Sequence, residues 1–274
     1  MRTEIISSAQ NSKIKLLLEL QEKSKTRKKE GLFVVEGRRE LLHCIEAGYV
    51  PHTVFFCPEI ISESDKEEIV QAIKRQIAGN AKMPMAIEVP QQLYDKVAYR
   101  GGTEGVVAEM YCKDLSLGSL ELKENPLIVV LESVEKPGNL GAVLRSADAS
   151  GVDAVIVCDP LTDMYNPNLI RSSIGAIFTV PVATAKSDEA IAWLKEKGAK
   201  IYTAQLQNSE WYYDTDMKGA TAIVMGTEAT GLTNAWRNAA DAHIKIPMLG
   251  RLDSLNVSVS AAILMYEAVR QRNS

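Results

Sequence analysis

Three places in the chain carry side chains suited to chemistry. Asn139 and Arg145 accompany the glycine-bearing turn Pro137-Gly138-Asn139-Leu140-Gly141, Glu228 lies within Gly226-Thr227-Glu228-Ala229-Thr230-Gly231, and Ser254 and Asn256 close a polar stretch from Leu249 to Asn256. An amide, a guanidinium, a carboxylate and a hydroxyl can orient a ligand and stabilise developing charge. The usual bases are scarce, since His43, His52 and His243 are too scattered for a metal site or a Ser-His-Asp triad. Cys44, Cys57, Cys112 and Cys158 are far apart and lack zinc spacing, so they read as reduced, mostly buried thiols. The pattern points to a small-molecule site without a metal.

Each residue also has an ordinary structural use. Asn139 can cap a helix, and Arg145 can pair with Asp148 three residues on, a surface contact worth about 0.5 kcal/mol. Glu228 suits the N-terminus of the helix after it, and Ser254, Asn256 or Ser258 can cap the last helix. Their grouping at strand ends favours a ligand site, because open α/β sheets bind ligands at that edge. Two nucleotide motifs come close and fail. Gly226 to Thr233 has phosphate-loop spacing, but Leu232 stands where the lysine belongs. The turn around Gly138 and Gly141 lacks the full GxGxxG of a dinucleotide site, which leaves dinucleotide binding as a weak alternative.

The elements that must position these residues are legible as apolar runs. Beyond residue 125, strands are expected at 127–133, 154–158, 177–182, 199–204, 221–226 and 243–247, with helices at 140–150, 167–174, 188–197, 232–239 and 257–271. Continuous Val/Ile runs predict strands covered on both faces, hence a mainly parallel sheet between helix layers. Upstream, a helix at 12–20 capped by Ser12, strands at 32–35, 54–57 and 106–111, and helices at 38–47 and 65–78 make a smaller α/β domain. The division is therefore 1–112, a polar linker 113–124, and 125–274.

Charged residues at 24% and apolar residues at 46% are the proportions of a soluble globular protein. No stretch approaches the about 20 apolar residues of a membrane span, and the N-terminus opens no signal peptide. A cytoplasmic protein without membrane contact is expected. The net charge of -4 argues against indiscriminate nucleic-acid binding. Yet Lys13, Lys15, Lys23, Lys25, Arg27, Lys28 and Lys29 face only Glu19 and Glu22 in their stretch, a patch able to contact phosphates or simply to be solvated as a loop.

Taken together, the three turns resemble the signature motifs of the SpoU/TrmH family of S-adenosylmethionine-dependent RNA ribose 2′-O-methyltransferases. The matching segments are Pro-Gly-Asn-Leu-Gly-Ala-Val-Leu-Arg-Ser-Ala-Asp at 137–148, Met-Gly-Thr-Glu-Ala-Thr-Gly-Leu at 225–232, and Ile-Pro-Met-Leu-Gly-Arg-Leu-Asp-Ser-Leu-Asn-Val-Ser-Val-Ser at 246–260. Arg171-Ser172-Ser173-Ile174-Gly175-Ala176 fits between the first two, and Ser8 to Lys15 with Phe33 to Arg38 resembles the substrate-binding domain of many members. The resemblance implies a deep trefoil knot in the C-terminal α/β domain, an exception to the rule against threaded chains. It implies converging turns, a bent cofactor and a homodimer that completes the RNA site. By motif match, Gly226, Ile246 and Leu255 would hold S-adenosylmethionine, and Asn139, Arg145, Glu228, Ser254 and Asn256 fall on catalytic and substrate-orienting positions. Ala229, where glycine is usual, and Ser260, where a smaller residue is common, depart from the pattern. The resemblance of the N-terminal domain to those of rRNA-directed members implies ribosomal RNA over tRNA as substrate. A non-catalytic RNA-binding or assembly factor of the same fold is the rival from another class.

Overall fold

A computed structural model describes every residue except Met1, residues 78–82, 99–103, 228–229 and 253. The chain divides into two compact units, Met1–Lys113 with Asp163–Thr179, and Asp114–Thr162 with Val180–Ser274.

The first unit holds strands β1 (Arg2–Ile5), β2 (Leu32–Glu36), β3 (Pro51–Phe56), β4 (Met85–Glu88) and β5 (Val106–Tyr111) in the order β1-β4-β3-β5-β2. Strands β1, β4 and β3 run parallel, and β5 runs antiparallel to both β3 and β2. Its helices are α1 (Ser12–Glu22), α2 (Ser24–Glu30), α3 (Arg38–Glu46), α4 (Glu63–Gln76), α5 (Gln91–Val97), α7 (Pro167–Ser172) and α8 (Ala176–Thr179). Ile14, Leu17 and Leu20 of α1 are fully buried, as the helical spacing of those residues requires. Asn11, not Ser12, caps α1, accepting from the Lys13 N–H.

The basic stretch differs from the expected loop. Residues 24–30 form helix α2, whose only buried residue is Arg27, so no apolar period announced it. The Arg27 guanidinium donates to the Leu20 carbonyl at 2.6 Å and to Asp163 Oδ2 at 2.6 Å. That cation is structural, because a buried charge must be paired and hydrogen-bonded. Lys13, Lys23 and Lys29 pair with Glu4, Glu19 and Glu30. Lys15, Lys25 and Lys28 are exposed and enter no ion pair among the described residues.

The second unit is a seven-stranded, wholly parallel sheet of β6 (Leu127–Glu132), β7 (Ala154–Cys158), β8 (Val182–Ala185), β9 (Lys200–Ala204), β10 (Glu210–Trp211), β11 (Thr221–Met225) and β12 (Ala242–Lys245). Its strand order is β10-β12-β9-β11-β6-β7-β8. Helices α6 (Pro137–Ser150) and α11 (Val257–Arg272) pack on each other, and α11 also packs on β6 and β11. Helices α9 (Ser187–Glu196) and α10 (Asn234–Ala239) cover the other face through Ala190, Leu194 and Trp236. Every residue of β6, β7 and β11 is buried, which explains their unbroken apolar runs. Leu117, Leu120 and Leu122, within the stretch read as a linker, pack on this core.

The strand expected at 177–182 is instead helix α8 followed by β8 from Val182. Phe178 packs against Phe33 and Tyr49, at ring-centroid distances of 5.8 and 5.2 Å, and Pro181 breaks the apolar run. A short apolar run is equally legible as a buried helical turn, and length alone does not arbitrate. The expected end of α4 at Ala78 lies outside the described residues.

Candidate cofactor and active site

All seven strands point the same way, so the turns after β6, β9, β11 and β12 leave one edge of the sheet from four adjacent strands. The turn after β11 folds back on itself. Thr227 and Gly231 exchange backbone hydrogen bonds at 3.0 and 3.3 Å, and Thr227 Oγ1 accepts the Thr230 N–H at 3.0 Å. Gly231 takes φ 66°, a conformation open to glycine. Gly226 has a different reason to be glycine. A Cβ there would stand 2.4 Å from the Gly231 carbonyl carbon. Glu228 and Ala229 lie outside the described residues.

A buried carboxylate ties this turn to β6. Glu132, 3% exposed at the end of the strand, accepts from Thr233 N at 2.8 Å and from Thr233 Oγ1 at 2.7 Å. The signal in sequence is an acid ending an otherwise apolar run.

Asn139 does not cap α6. Pro137 opens the helix after Lys136, which places Asn139 inside the first turn. Its Oδ1 accepts from Asn256 Nδ2 at 3.2 Å, joining the first and third turns across 117 residues of sequence. Asn256 caps α11 as well, since its Oδ1 takes the Ser258 N–H at 3.0 Å. The capping and site readings of Asn256 are therefore the same geometry. Arg145 is exposed on α6, six residues and about 9 Å of helix rise beyond Asn139, and it does not line the neighbouring cavity.

That cavity, about 420 Å³, is lined by Gly226, Ile246, Ser254 and Leu255 among others. It thus gathers every residue singled out for cofactor binding, together with Ser254. Lining residues that sequence reasoning missed are Gln205, Thr230, Arg237, Lys245 and Met248. Gln205, the first residue after β9, carried the one available signal, a polar side chain ending a strand at the same edge. Burial pushes the Cys158 thiol well above its ordinary range, so it supplies no base at the end of β7.

A parallel sheet with a cavity and polar turns at the carboxyl ends of adjacent strands defines an α/β protein that takes a small ligand there. Residues 126–266 match the SpoU rRNA methylase family, and residues 11–108 match an MRM3-like substrate binding domain. The chain is 30% identical over 254 residues to the 23S rRNA (uridine(2479)-2′-O)-methyltransferase of Streptomyces viridochromogenes, covering 90% of this chain and 86% of that one. It is 30% identical over 263 residues to the 23S rRNA (guanosine(2553)-2′-O)-methyltransferase of Bacillus subtilis, covering 95% and 97%. The crystal structure of the SpoU methyltransferase AviRb from Streptomyces viridochromogenes, in complex with the cofactor AdoMet, superposes with a TM-score of 0.85 at 27% identity, covering 97% of this chain and 99% of that one. The chain belongs to the SpoU rRNA methylase family.

Proposed function

We propose that this protein is an S-adenosylmethionine-dependent RNA ribose 2′-O-methyltransferase that acts on ribosomal RNA. The observation that carries the reading is that the second and third family turns wall one cavity at the carboxyl edge of a parallel sheet, while the Asn139–Asn256 hydrogen bond joins the first turn to the third. Relatives named as 23S rRNA enzymes along nearly the whole chain support ribosomal RNA over tRNA.

S-adenosylmethionine would supply an electrophilic methyl group on a sulfonium. Gly226, Ile246 and Leu255 would hold it, for all three line the cavity. The leaving group becomes neutral, so the site needs no acid to assist it. What the side chains must do is align the ribose 2′-hydroxyl and ease loss of its proton. A guanidinium keeps its proton across the physiological range, so Arg145 serves as a fork on the adjacent RNA phosphate and a stabiliser of developing oxygen charge. The proton then passes to phosphate or water. Asn139 and Asn256, bonded to each other, would orient the ribose with Ser254, and Glu228 would orient Arg145.

Asn139→Ala is expected to slow methyl transfer at least about tenfold while moving the melting temperature little, because Asn139 is not the cap of α6. A large drop in melting temperature would return Asn139 to a structural role.

A homodimer, a knotted C-terminal domain, a cytoplasmic location and an RNA-binding N-terminal domain complete the reading. Among the described residues no helix is long and apolar enough to cross a membrane. Leu249, Leu252 and Val259, on the third turn and α11, are 98%, 76% and 47% exposed, and such apolar surface suits a contact with a second copy of the chain. Light scattering is expected to give twice the 30.1 kDa chain mass; a monomer would remove the dimer. Neutralising Lys15, Lys25 and Lys28 together is expected to reduce the slope of log K against log salt for RNA binding by about 2. An unchanged slope would leave these lysines as solvated surface.

The reading itself is tested by transfer of labelled methyl from S-adenosylmethionine to ribosomal RNA and tRNA lacking their modifications, followed by nuclease digestion. Label on a ribose of ribosomal RNA is the expected result. Cofactor binding with no transfer to either pool would support an assembly or RNA-binding role.

A further inference from the structure

Gln205 follows β9 directly and lines the cavity at the carboxyl edge of the sheet. Its backbone N–H donates to the Ile244 carbonyl at 3.0 Å, holding the residue against the end of β12. Its side-chain Nε2 donates to the Gln207 carbonyl at 2.8 Å. A carbonyl only accepts, so this bond fixes which way round the amide sits. Its other end, Oε1, is buried and accepts no hydrogen bond among the described residues. A buried acceptor left unpaired costs stability and calls for an explanation. Here the explanation is its place, because Gln205 is one of the residues that wall the cavity.

We infer that Gln205 reads the adenine ring of the cofactor, its Oε1 accepting a hydrogen bond from the exocyclic N6 amine. The inference rests on the methyltransferase reading above. Three donor types on S-adenosylmethionine compete for that atom: the adenine amine, the ribose hydroxyls and the α-ammonium. The surroundings choose among them. Leu206 next along the chain, and Ile244 and Ile246 at the end of the paired strand β12, give this part of the cavity apolar walls suited to a flat ring and unsuited to an ammonium or a diol. Ser254 and Leu255 also line the cavity and directly precede Asn256, whose bond to Asn139 marks where the reacting end belongs. Glutamine is also the amide that meets the N6 edge of adenine in nucleic-acid recognition. With Nε2 committed to Gln207, the single bond to N6 is what remains.

The test is calorimetric binding of two cofactor products to the full-length protein. They are S-adenosylhomocysteine and S-inosylhomocysteine, in which a carbonyl oxygen replaces the N6 amine. Wild type is expected to bind the adenosyl compound at least about tenfold more tightly than the inosyl one, and Gln205→Met to lose about tenfold on the adenosyl compound while binding the inosyl compound as before. Unchanged adenosyl affinity in Gln205→Met would overturn the inference and leave the methyltransferase reading in place. Equal losses on both compounds would also overturn it, by assigning Gln205 to the ribose or to the shape of the loop. If Gln205→Met does not fold, equal affinity of wild type for the two compounds would still overturn it. No binding of S-adenosylhomocysteine to wild type at all would instead sink the reading on which it rests.

Discussion

Arg145→Lys is expected to slow methyl transfer by at least about a hundredfold while leaving S-adenosylhomocysteine affinity within about threefold. The charge survives this substitution. What is lost is the planar pair of N–H donors that can hold two oxygens at once, and a lysine ammonium offers a single point of charge on a flexible stem. Arg145 is exposed on α6 and does not line the cavity, so its removal should not disturb cofactor binding. The split is therefore the diagnostic: single-turnover rate down, binding enthalpy and affinity preserved. Near-normal turnover in Arg145→Lys would rule out the fork and leave charge alone as the requirement. A parallel loss of cofactor affinity would place Arg145 at the cofactor instead of at the RNA.

Gly226→Ala should act in the opposite sense, on binding before chemistry. The added Cβ would fall 2.4, 2.5 and 2.6 Å from the Gly231 carbonyl carbon, the Gly231 oxygen and the Leu232 nitrogen. All three are backbone atoms, so no side chain can swing away and the turn itself must move. Overpacking of this kind costs about 1–3 kcal/mol. Because the displaced turn is a wall of the cavity, the cofactor should bind about ten- to a hundredfold more weakly. The strands beneath it are untouched, and Glu132 still anchors Thr233 just beyond the turn, so the melting temperature should fall by only a few degrees. Wild-type affinity for S-adenosylhomocysteine in this variant would show that the turn does not touch the cofactor.

Much of the second unit was legible because its signals are local. An unbroken Val/Ile-rich run such as Leu127 to Leu131 reads as a strand buried on both faces, and it is one. Asn256 was legible as a cap before α11, and it caps. Where legibility failed, the local signal was absent or ambiguous. Helix α2 has no apolar stripe to announce it, since its one buried residue is Arg27. The run at 177–182 was apolar enough for a strand, but Phe178 is used by an aromatic cluster and the chain turns helical there. Asn139 looked like a cap because it is a good one, yet Pro137 starts the helix two residues earlier, with its missing N–H among the groups that need no partner. Gln205 offers only a faint signal, a polar side chain directly after a strand, which by itself does not distinguish it from a surface loop.

By itself, then, the sequence determined which segments form buried parallel strands, where the glycine turns between them fall, and which family the turns belong to. These are properties of stretches a few residues long, set by hydrophobic run, backbone freedom and motif. Only the tertiary structure decided that β11 lies between β6 and β9, so that the turn after it meets the cavity walled by Gln205, Ile246 and Leu255. It also decided that Asn256 reaches Asn139, and that Arg27 is withdrawn from the surface to hold Asp163. The physical reason is the same in each case. Strand order and side-chain partners across more than a hundred residues are chosen by packing the whole sheet at once, and no periodicity along the chain records that choice.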